Sequence, residues 1–138
     1  MMPSVAECSG ASSDFAAQVE ISVEDVLSKQ YIRFCPTDAW RPNINIYETA
    51  DAIIVCADLA GMSADSIHVE FRNNCLVLRG ERPRPLPSER TESIGVHMME
   101  IYAGVFCRQI EVPGPVDHDR ITAKYREGLL WITLPKAG

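Results

Sequence analysis

The stretch I-T-A-K-Y-R-E-G-L-L-W-I-T-L-P, residues Ile121–Pro135, decides the fold of this 138-residue chain. Its second half places Leu130, Ile132 and Leu134 at every other position, as in a strand that buries one face. Because glycine adopts positive φ at no steric cost, the dipeptide Glu127-Gly128 predicts a tight hairpin turn. The stretch therefore predicts two antiparallel strands joined by a two-residue turn.

Further runs of β-favouring residues precede this stretch and are separated by the Gly, Pro and Asn residues that are typical of turns. The runs are Ile44–Ile46, Ile53–Ala57, Ile67–Phe71, Leu76–Leu78 and Val105–Val112. The spacers between them cannot supply the crossover helices that parallel strands need. The pattern predicts an all-β fold, an antiparallel immunoglobulin-like β-sandwich.

The composition is that of one globular domain with a modest tail, since 46% of the residues are hydrophobic and 23% are charged. A formal net charge of −6 argues against nucleic acid or an anionic membrane as the main partner, because both need a positive surface. No apolar run approaches the roughly 20 residues of a membrane span, and the N-terminus lacks the regions of a signal peptide. We therefore expect a soluble cytoplasmic protein.

Five cysteines are spread along the chain without a C-x-x-C pair: Cys8, Cys35, Cys56, Cys75 and Cys107. Zinc ligands usually follow each other closely in sequence, so no metal site is expected. The last three cysteines fall in apolar runs and are expected to pack in the core, whereas the first two could be reactive. Without an export signal, the reduced state is expected.

The residues before the first predicted strand are expected to form a flexible, partly helical arm. The first eighteen are rich in Ser and Ala and show little periodicity, which is typical of a mobile segment. Ser22 could cap a short helix in which Val23, Val26, Leu27 and Tyr31 recur at helical spacing. A helix of this length is marginal alone, so it needs a surface to lie against.

The connection between Gly80 and Gly104 is too long for a hairpin turn. Its three prolines within residues 83–87 exclude a central strand, because each removes a ladder donor. Strand-forming character returns at Ile94–Met99. Long loops in compact domains tend to be interaction elements, so this segment is expected to find its partner outside the parent sheet.

Several motifs follow one another in a fixed order. G-V-F-C-R-Q-I-E-V-P at Gly104–Pro113 matches the pattern G-x-F-x-R-x-[IF]-x-[LV]-P, and Ile121–Lys136 matches I-x-A-x-[YF] followed by G-[VL]-L-x-I-x-[LV]-P-K. Three earlier segments fit the same family, namely Pro42–Thr49, Asp58–Met62 and Asn74–Arg82. On these motifs the chain resembles the small heat-shock protein (alpha-crystallin, Hsp20) family of bacterial or archaeal type, over residues 40–136.

The resemblance implies an N-terminal arm at residues 1–39, an alpha-crystallin domain at 40–136 and a residual tail at 137–138. It implies an ATP-independent holdase, which binds partly unfolded client proteins and prevents their aggregation under stress. The chain contains no G-x-x-x-x-G-K-[ST] phosphate loop, no G-x-S-x-G elbow and no H-E-x-x-H motif, so neither enzymatic activity nor a cofactor is expected. The alternative is a co-chaperone-like adaptor of the same fold that binds one defined partner protein.

The resemblance also implies three groups of contact residues. The arm group, for clients or other subunits, is Ile21, Val23, Val26, Leu27, Tyr31 and Phe34. The groove group, on two strands that flank an apolar groove, is Ile67, Val69, Phe71, Ile121, Ala123 and Tyr125. The dimer-loop group, from a loop that exchanges a strand within a homodimer, is Ile94, Val96, Met98, Glu100 and Arg108.

Two alternatives stay open at this point. The family usually continues past its P-K into an I-x-[IV] tail that fills a neighbour's groove, whereas this sequence stops at Lys136-Ala137-Gly138, so either the C-terminus is trimmed or assembly uses another segment; Ile21-Ser22-Val23 has the same spacing. This segment could therefore fill the groove instead of capping a helix, or the arm could pack on its own domain. Arg108 shares the parity of Phe106, so it either has a carboxylate or carbonyl partner or reaches the solvent-exposed rim.

Overall fold

Nine strands form two sheets in the computed structural model, which describes residues 16–24, 35–87 and 94–138. The strands are β1 (Ala17–Gln18), β2 (Ile21–Glu24), β3 (Ile44–Glu48), β4 (Ala52–Asp58), β5 (Ile67–Arg72), β6 (Cys75–Arg82), β7 (Gly104–Glu111), β8 (Thr122–Arg126) and β9 (Leu129–Pro135). Two short 3-10 helices, Ala64–Ser66 and His118–Arg120, precede β5 and β8. The described residues thus form the predicted all-β sandwich.

One sheet has five strands in the order β1-β8-β9-β4-β3, and every pair in it is antiparallel. The predicted hairpin joins β8 to β9, with Leu129 paired to Arg126 across the turn. Both turn residues have positive φ, 56° at Glu127 and 79° at Gly128, as the tight turn requires. The hairpin prediction is confirmed.

The second sheet has four strands in the order β2-β5-β6-β7. Its strands β5, β6 and β7 are antiparallel, but β2 is parallel to β5, with Ile21 paired to Val69. The antiparallel sandwich was predicted from the runs after Trp40. The parallel pair that the arm strand β2 forms with β5 was not part of that prediction. No hairpin joins β2 to β5, so no short turn forces the two strands to run in opposite directions.

The core lies between the sheets and follows the predicted parity. Leu130, Ile132 and Leu134 of β9 are fully buried, as is Phe106 of β7. Side chains from both sheets form one apolar cluster with these residues. The alternation in the sequence therefore identified the face that each strand buries.

The structure places the start of the arm in a strand. Ser22 lies within β2, so the prediction that it caps a helix is wrong. An edge of the sheet supplies this segment with backbone partners, and these contacts replace the local helical ones. The arm-group residues Val26, Leu27, Tyr31 and Phe34 lie outside the described residues.

A disulfide joins Cys35 to Cys107, with a Cα–Cα distance of 5.4 Å. The expectation of reduced cysteines is wrong for this pair, although Cys107 is buried, as expected, at 1% exposed. The two residues are 72 positions apart, so sequence spacing carries no sign of their proximity. Cys56 is free and buried, and Cys75 is free and half-buried.

Candidate functional site

The predicted groove lies where β5 of one sheet faces β8 of the other. On β5, Ile67, Val69 and Phe71 are all buried. From the other sheet, Ala123 is buried, and half-buried Ile121 and Tyr125 pack against the same apolar cluster. The structure therefore brings all six residues of the groove group together.

The groove is filled by the chain's own arm, residues 17–24. Strand β1 pairs with β8, and the amide of Val19 donates to the carbonyl oxygen of Ala123 at 3.0 Å. The chain then crosses to the other sheet and continues as β2 along β5. One extended segment thus satisfies backbone groups on both walls of the groove.

Two apolar side chains of the arm fill the space between the walls. Val19 is 3% exposed and belongs to the core, and Ile21 packs against it. Val23 is 39% exposed. The pair that fills the groove is therefore Val19 and Ile21, two residues earlier in the chain than the predicted pair Ile21 and Val23. The sequence places Val19 among the apolar side chains of the arm but does not assign it to the groove, although the alternation Val19-x-Ile21-x-Val23 contained the signal.

Tyr125 fixes the β8 wall of the groove to the connection that follows β4. Its hydroxyl donates to the carbonyl oxygen of Leu59 at 2.7 Å and accepts from the amide of Met62 at 3.1 Å. Its ring remains in contact with the apolar cluster. Because a buried phenol needs polar partners, these two bonds hold the side chain in one orientation.

The rim of the groove is polar and charged. A cleft of about 340 Å³ opens beside β2 and β5, and it is lined by Gln18, Glu20, Ser22, Asp65, His68, Glu70 and Arg79, among others. Arg79 and Glu70 form an ion pair of 2.6 Å on this rim. The groove therefore has an apolar floor and a hydrophilic margin, an arrangement that suits an extended amphipathic segment.

Residues 45–138 match the Hsp20/alpha crystallin family model, which covers well over half of the chain. The chain belongs to this family. Members of the Hsp20/alpha crystallin family are molecular chaperones, so membership gives the chain a chaperone role. The match begins after β2, and the arm segment in the groove lies outside it.

Curated relatives extend the match beyond the family model. Heat shock protein 16 of Schizosaccharomyces pombe is 34% identical over 95 residues, which cover 69% of this chain and 66% of the relative. The 18 kDa antigen 2 of Mycobacterium avium is 32% identical over 114 residues, covering 83% of this chain and 74% of that protein. The chain thus spans about two thirds to three quarters of these Hsp20 relatives.

Solved structures of the same family share the fold. Heat shock protein 16.0 from Schizosaccharomyces pombe aligns with a TM-score of 0.63 and 33% identity, over 70% of this chain and 87% of that chain. A small heat-shock protein from Xylella fastidiosa aligns with a TM-score of 0.62 and 32% identity, over 72% and 88% of the two chains. The sandwich is therefore the alpha-crystallin sandwich of the Hsp20 family.

Arg108 is half-buried on β7 and has a carbonyl partner within the chain. Its Nη1 donates to the carbonyl oxygen of Pro42 at 3.0 Å, whereas its buried Nε has no acceptor. Burial lowers the pKa of Arg108, and the nearby charge of Arg41 lowers it further. Of the two alternatives for Arg108, the structure favours the carbonyl-paired one.

The dimer-loop residues do not join the groove. Ile94, Val96, Met98 and Glu100 are exposed, and within the described residues the segment 94–100 pairs with no strand. With residues 84–87 and Ile101, the segment lines an apolar cleft of about 450 Å³. The exchanged strand therefore stays a prediction.

The base of the dimer loop is firmly attached, unlike its centre. The guanidinium of Arg82 donates to the carbonyl oxygens of Tyr102 and Ala60, and it lies 4.3 Å from the centroid of the Trp40 ring. The ring of Tyr102 stacks on the ring of Trp40, with 5.9 Å between the two centroids. These contacts fix the point at which the loop leaves the sandwich.

Within residues 16–24, 35–87 and 94–138, no group of three His, Cys, Asp or Glu side chains could hold a metal ion. Asp117 caps a 3-10 helix by accepting from the amide of Asp119, and His118 lies half-exposed beside it. These residues form a largely exposed turn that precedes β8. In the same described ranges, no helix is long and apolar enough to cross a membrane.

Proposed function

We propose that this protein is an ATP-independent holdase that binds extended apolar segments of partly unfolded proteins. The observation that carries the proposal is the filled groove, since its walls already hold one extended V-x-I segment by backbone pairing and apolar burial. Burial of apolar surface is favourable by about 25 cal/mol per Å², and capture of this kind needs no nucleotide. We place this activity in the cytoplasm.

A second apolar surface supports the same function. Seven large apolar side chains of the dimer loop are exposed together: Leu86, Ile94, Val96, Met98, Met99, Ile101 and Tyr102. Exposed apolar patches on a chain of this size mark interaction sites rather than chance exposure. Flexible Met side chains adapt to many different apolar partners, which suits the capture of unrelated clients.

We propose that the same loop also exchanges a strand within a homodimer. The accepting edge is β3, which pairs only with β4 among the described strands and exposes Ile46 and Tyr47. An unpaired edge of this kind is a template for a strand from another chain. The segment 94–99 of the partner would supply that strand, and its apolar side chains would be covered at the same time.

The test is a thermal aggregation assay with an unrelated client, such as citrate synthase, in the absence of ATP. We expect the full chain to suppress client turbidity at near-stoichiometric ratios. An adaptor for one defined partner would leave the turbidity unchanged, and that result would contradict the holdase. Bovine serum albumin at equal mass is the control for non-specific crowding.

A double variant tests whether the exposed loop contributes to the suppression of turbidity in this assay. We expect Met98→Ser combined with Ile101→Ser to reduce suppression, because both side chains are exposed and apolar. The matched control is His97→Ser with Glu100→Gln, which changes exposed polar side chains of the same loop. Equal loss of suppression in the two variants would exclude the loop as a capture surface.

A further inference from the structure

Cys107 is buried on the outward side of the four-stranded sheet. It has the opposite parity to Phe106 and Ile110, which face the core, yet it is only 1% exposed. Val77, its diagonal neighbour on β6, is fully buried on the same side, and neither residue belongs to the core cluster. Part of this outward face is therefore covered, and Cys35 covers it at Cys107 through the disulfide.

Residues 35–42 run along the free edge of β7, and Trp40 is held there independently of the disulfide. The amide of Trp40 donates to the carbonyl oxygen of Val105, and the amide of Cys107 donates to that of Trp40. The indole Nε1 of Trp40 also donates to Gly104, and its ring contacts Phe106 at 5.4 Å. Cleavage of the disulfide would therefore free residues 35–39 and leave Trp40 in place.

The two cysteine residues differ in their exposure to solvent. Both cysteines line an open cleft of about 330 Å³, together with Thr37, Arg41 and Gln109. Cys35 is half-buried, whereas Cys107 is almost completely buried. Because a thiolate attacks a disulfide at a sulfur that it can reach, the accessible target is Sγ of Cys35.

The cleft is lined by one positively charged side chain and, among the described residues, by no carboxylate. Arg41 lines it, and Arg108 lies close enough for the two guanidinium charges to interact. Within residues 16–24, 35–87 and 94–138, neither arginine forms an ion pair. Asp38 lies in the adjoining turn but does not line the cleft. The two guanidinium groups therefore favour an anionic reactant at this cleft, although the formal net charge of the whole chain is −6.

We propose that the Cys35–Cys107 disulfide is a thiol-exchange site whose co-substrate is an anionic low-molecular-weight thiol. The thiolate of this molecule attacks Sγ of Cys35 and forms a mixed disulfide with it. The Sγ–Sγ bond breaks, its electron pair leaves with Cys107, and the proton released by the attacking thiol ends on the Cys107 sulfur. One disulfide is exchanged for another, so no oxidant is needed, and residues 35–39 are released from β7.

The first test maps the disulfide and the adduct on the full chain. In protein purified without reductant, peptide mapping by mass spectrometry should find Cys35 linked to Cys107. After incubation with glutathione, the adduct should appear on Cys35, and Cys107 should become a free thiol. Absence of the link, or an adduct on Cys107 alone, would overturn the proposal.

The second test measures selectivity for charge. The exchange rate is measured at low salt with anionic glutathione and with cationic cysteamine, and each rate is divided by that thiol's rate with a neutral small-molecule disulfide. We expect glutathione to be favoured about three- to tenfold, and 0.5 M salt should remove the preference. Arg41→Gln should abolish it, whereas the control Arg126→Gln, an exposed arginine of the other sheet, should retain it. An unchanged preference in Arg41→Gln would exclude the assigned role of this cleft.

Hydrogen exchange tests the release of the segment. After glutathione treatment, the amide of Ala39, which donates to Pro36, should exchange faster, whereas the amides of Trp40 and Cys107 should keep their protection. Equal protection of Ala39 before and after treatment would show that exchange does not free the segment.

Discussion

At the scale of single residues, Gly80 illustrates how closely neighbouring segments of the four-stranded sheet pack, since it pairs with Phe106 on one side and with Ile67, next to Ser66, on the other. A Cβ atom at this position would lie 2.5 Å from the backbone oxygen of Ser66 and 2.8 Å from the ring of Phe106. Phe106 is fully buried, so its ring cannot move aside without disturbing the core. Gly80, within the family segment Asn74–Arg82, thus has a packing reason that the sequence pattern alone does not state.

We expect Gly80→Ala to lower the free energy of unfolding by about 2 kcal/mol, because the added methyl group overpacks the core. The measurement is urea denaturation followed by tryptophan fluorescence. Gly95→Ala is the matched control, since a Cβ at Gly95 meets nothing within 4 Å, and its effect should stay within about 0.5 kcal/mol. Equal destabilisation by the two substitutions would contradict the close approach at Gly80.

The buried thiol of Cys56 predicts a dependence of stability on alkaline pH. Burial raises the pKa of Cys56 above its ordinary value of 9.0, and the charge of Asp58 adds to the effect. A raised pKa means that the folded state holds the proton more tightly than the unfolded state. The contribution of this thiol to stability is therefore complete below pH 9 and is lost as the pH rises through the folded pKa.

Thermal unfolding at pH 8 and pH 10 tests this dependence. We expect the wild type to lose more stability between the two values than Cys56→Ala, which has no thiol to ionise at this position. The substitution leaves a cavity at both pH values, so the effect of the cavity on stability cancels when the losses between pH 8 and pH 10 are compared. A difference between wild type and variant that does not change with pH would refute the assignment.

At the scale of elements, the strands after Trp40 could be predicted because their parity is a local property of the sequence. Three apolar side chains at alternate positions, Leu130, Ile132 and Leu134, indicate which face of β9 is buried. The glycine at position 128 indicates where the chain turns back. The arm could not be assigned in the same way. Its segment at Ser22 fits a helix cap and a strand equally well, and only the distant groove decides between them.

The sequence identified the groove residues and the apolar arm, but it did not show which arm residues lie in the groove. The six groove residues were grouped by resemblance, and in the structure all six belong to or pack against one apolar cluster. Val19 was not assigned to the groove, because its role depends on a chain crossing from one sheet to the other. The Cys35–Cys107 pair was missed for the same reason, since contacts over 72 residues leave no local pattern.

The arm segment in the groove predicts a competition experiment. We expect Val19→Ser combined with Ile21→Ser to release the arm, because the double variant removes the two apolar side chains that fill the groove. A fluorescent peptide of residues 16–24 should then bind the variant at least tenfold more tightly than the wild type. The measurement is fluorescence anisotropy during titration of the peptide with each protein.

Val23→Ser is the control for that experiment, because Val23 lies on the same strand but is 39% exposed. The peptide should bind this variant about as weakly as the wild type. A second control is a peptide carrying serine at positions 19 and 21, which should not bind any of the proteins. Equal affinity of the peptide for wild type and double variant would show that the arm does not occupy the groove in solution.

At the scale of the whole molecule, the fold protects most of its sheet edges. The edges of β5 and β8 are covered by the arm, and part of the β7 edge is covered by the segment around Trp40. Among the described strands, β3 remains as a five-residue edge with Ile46 and Tyr47 exposed. The arm strands β1 and β2 are also edges but have only two and four residues, so we expect strand addition at β3.

The open edge and the dimer loop together predict the oligomeric state. If the segment 94–99 of one chain pairs with β3 of another, Val96 becomes buried at the interface, and Val96→Asp should place an unpaired charge there. We expect this variant to weaken dimerisation more than tenfold, as measured by light scattering over a concentration series. Leu86→Asp is the matched control, because it introduces the same charge at a residue that is similarly exposed and lies outside the exchanged segment. A wild type that stays monomeric at tens of micromolar, or equal weakening by the two variants, would exclude exchange through this strand.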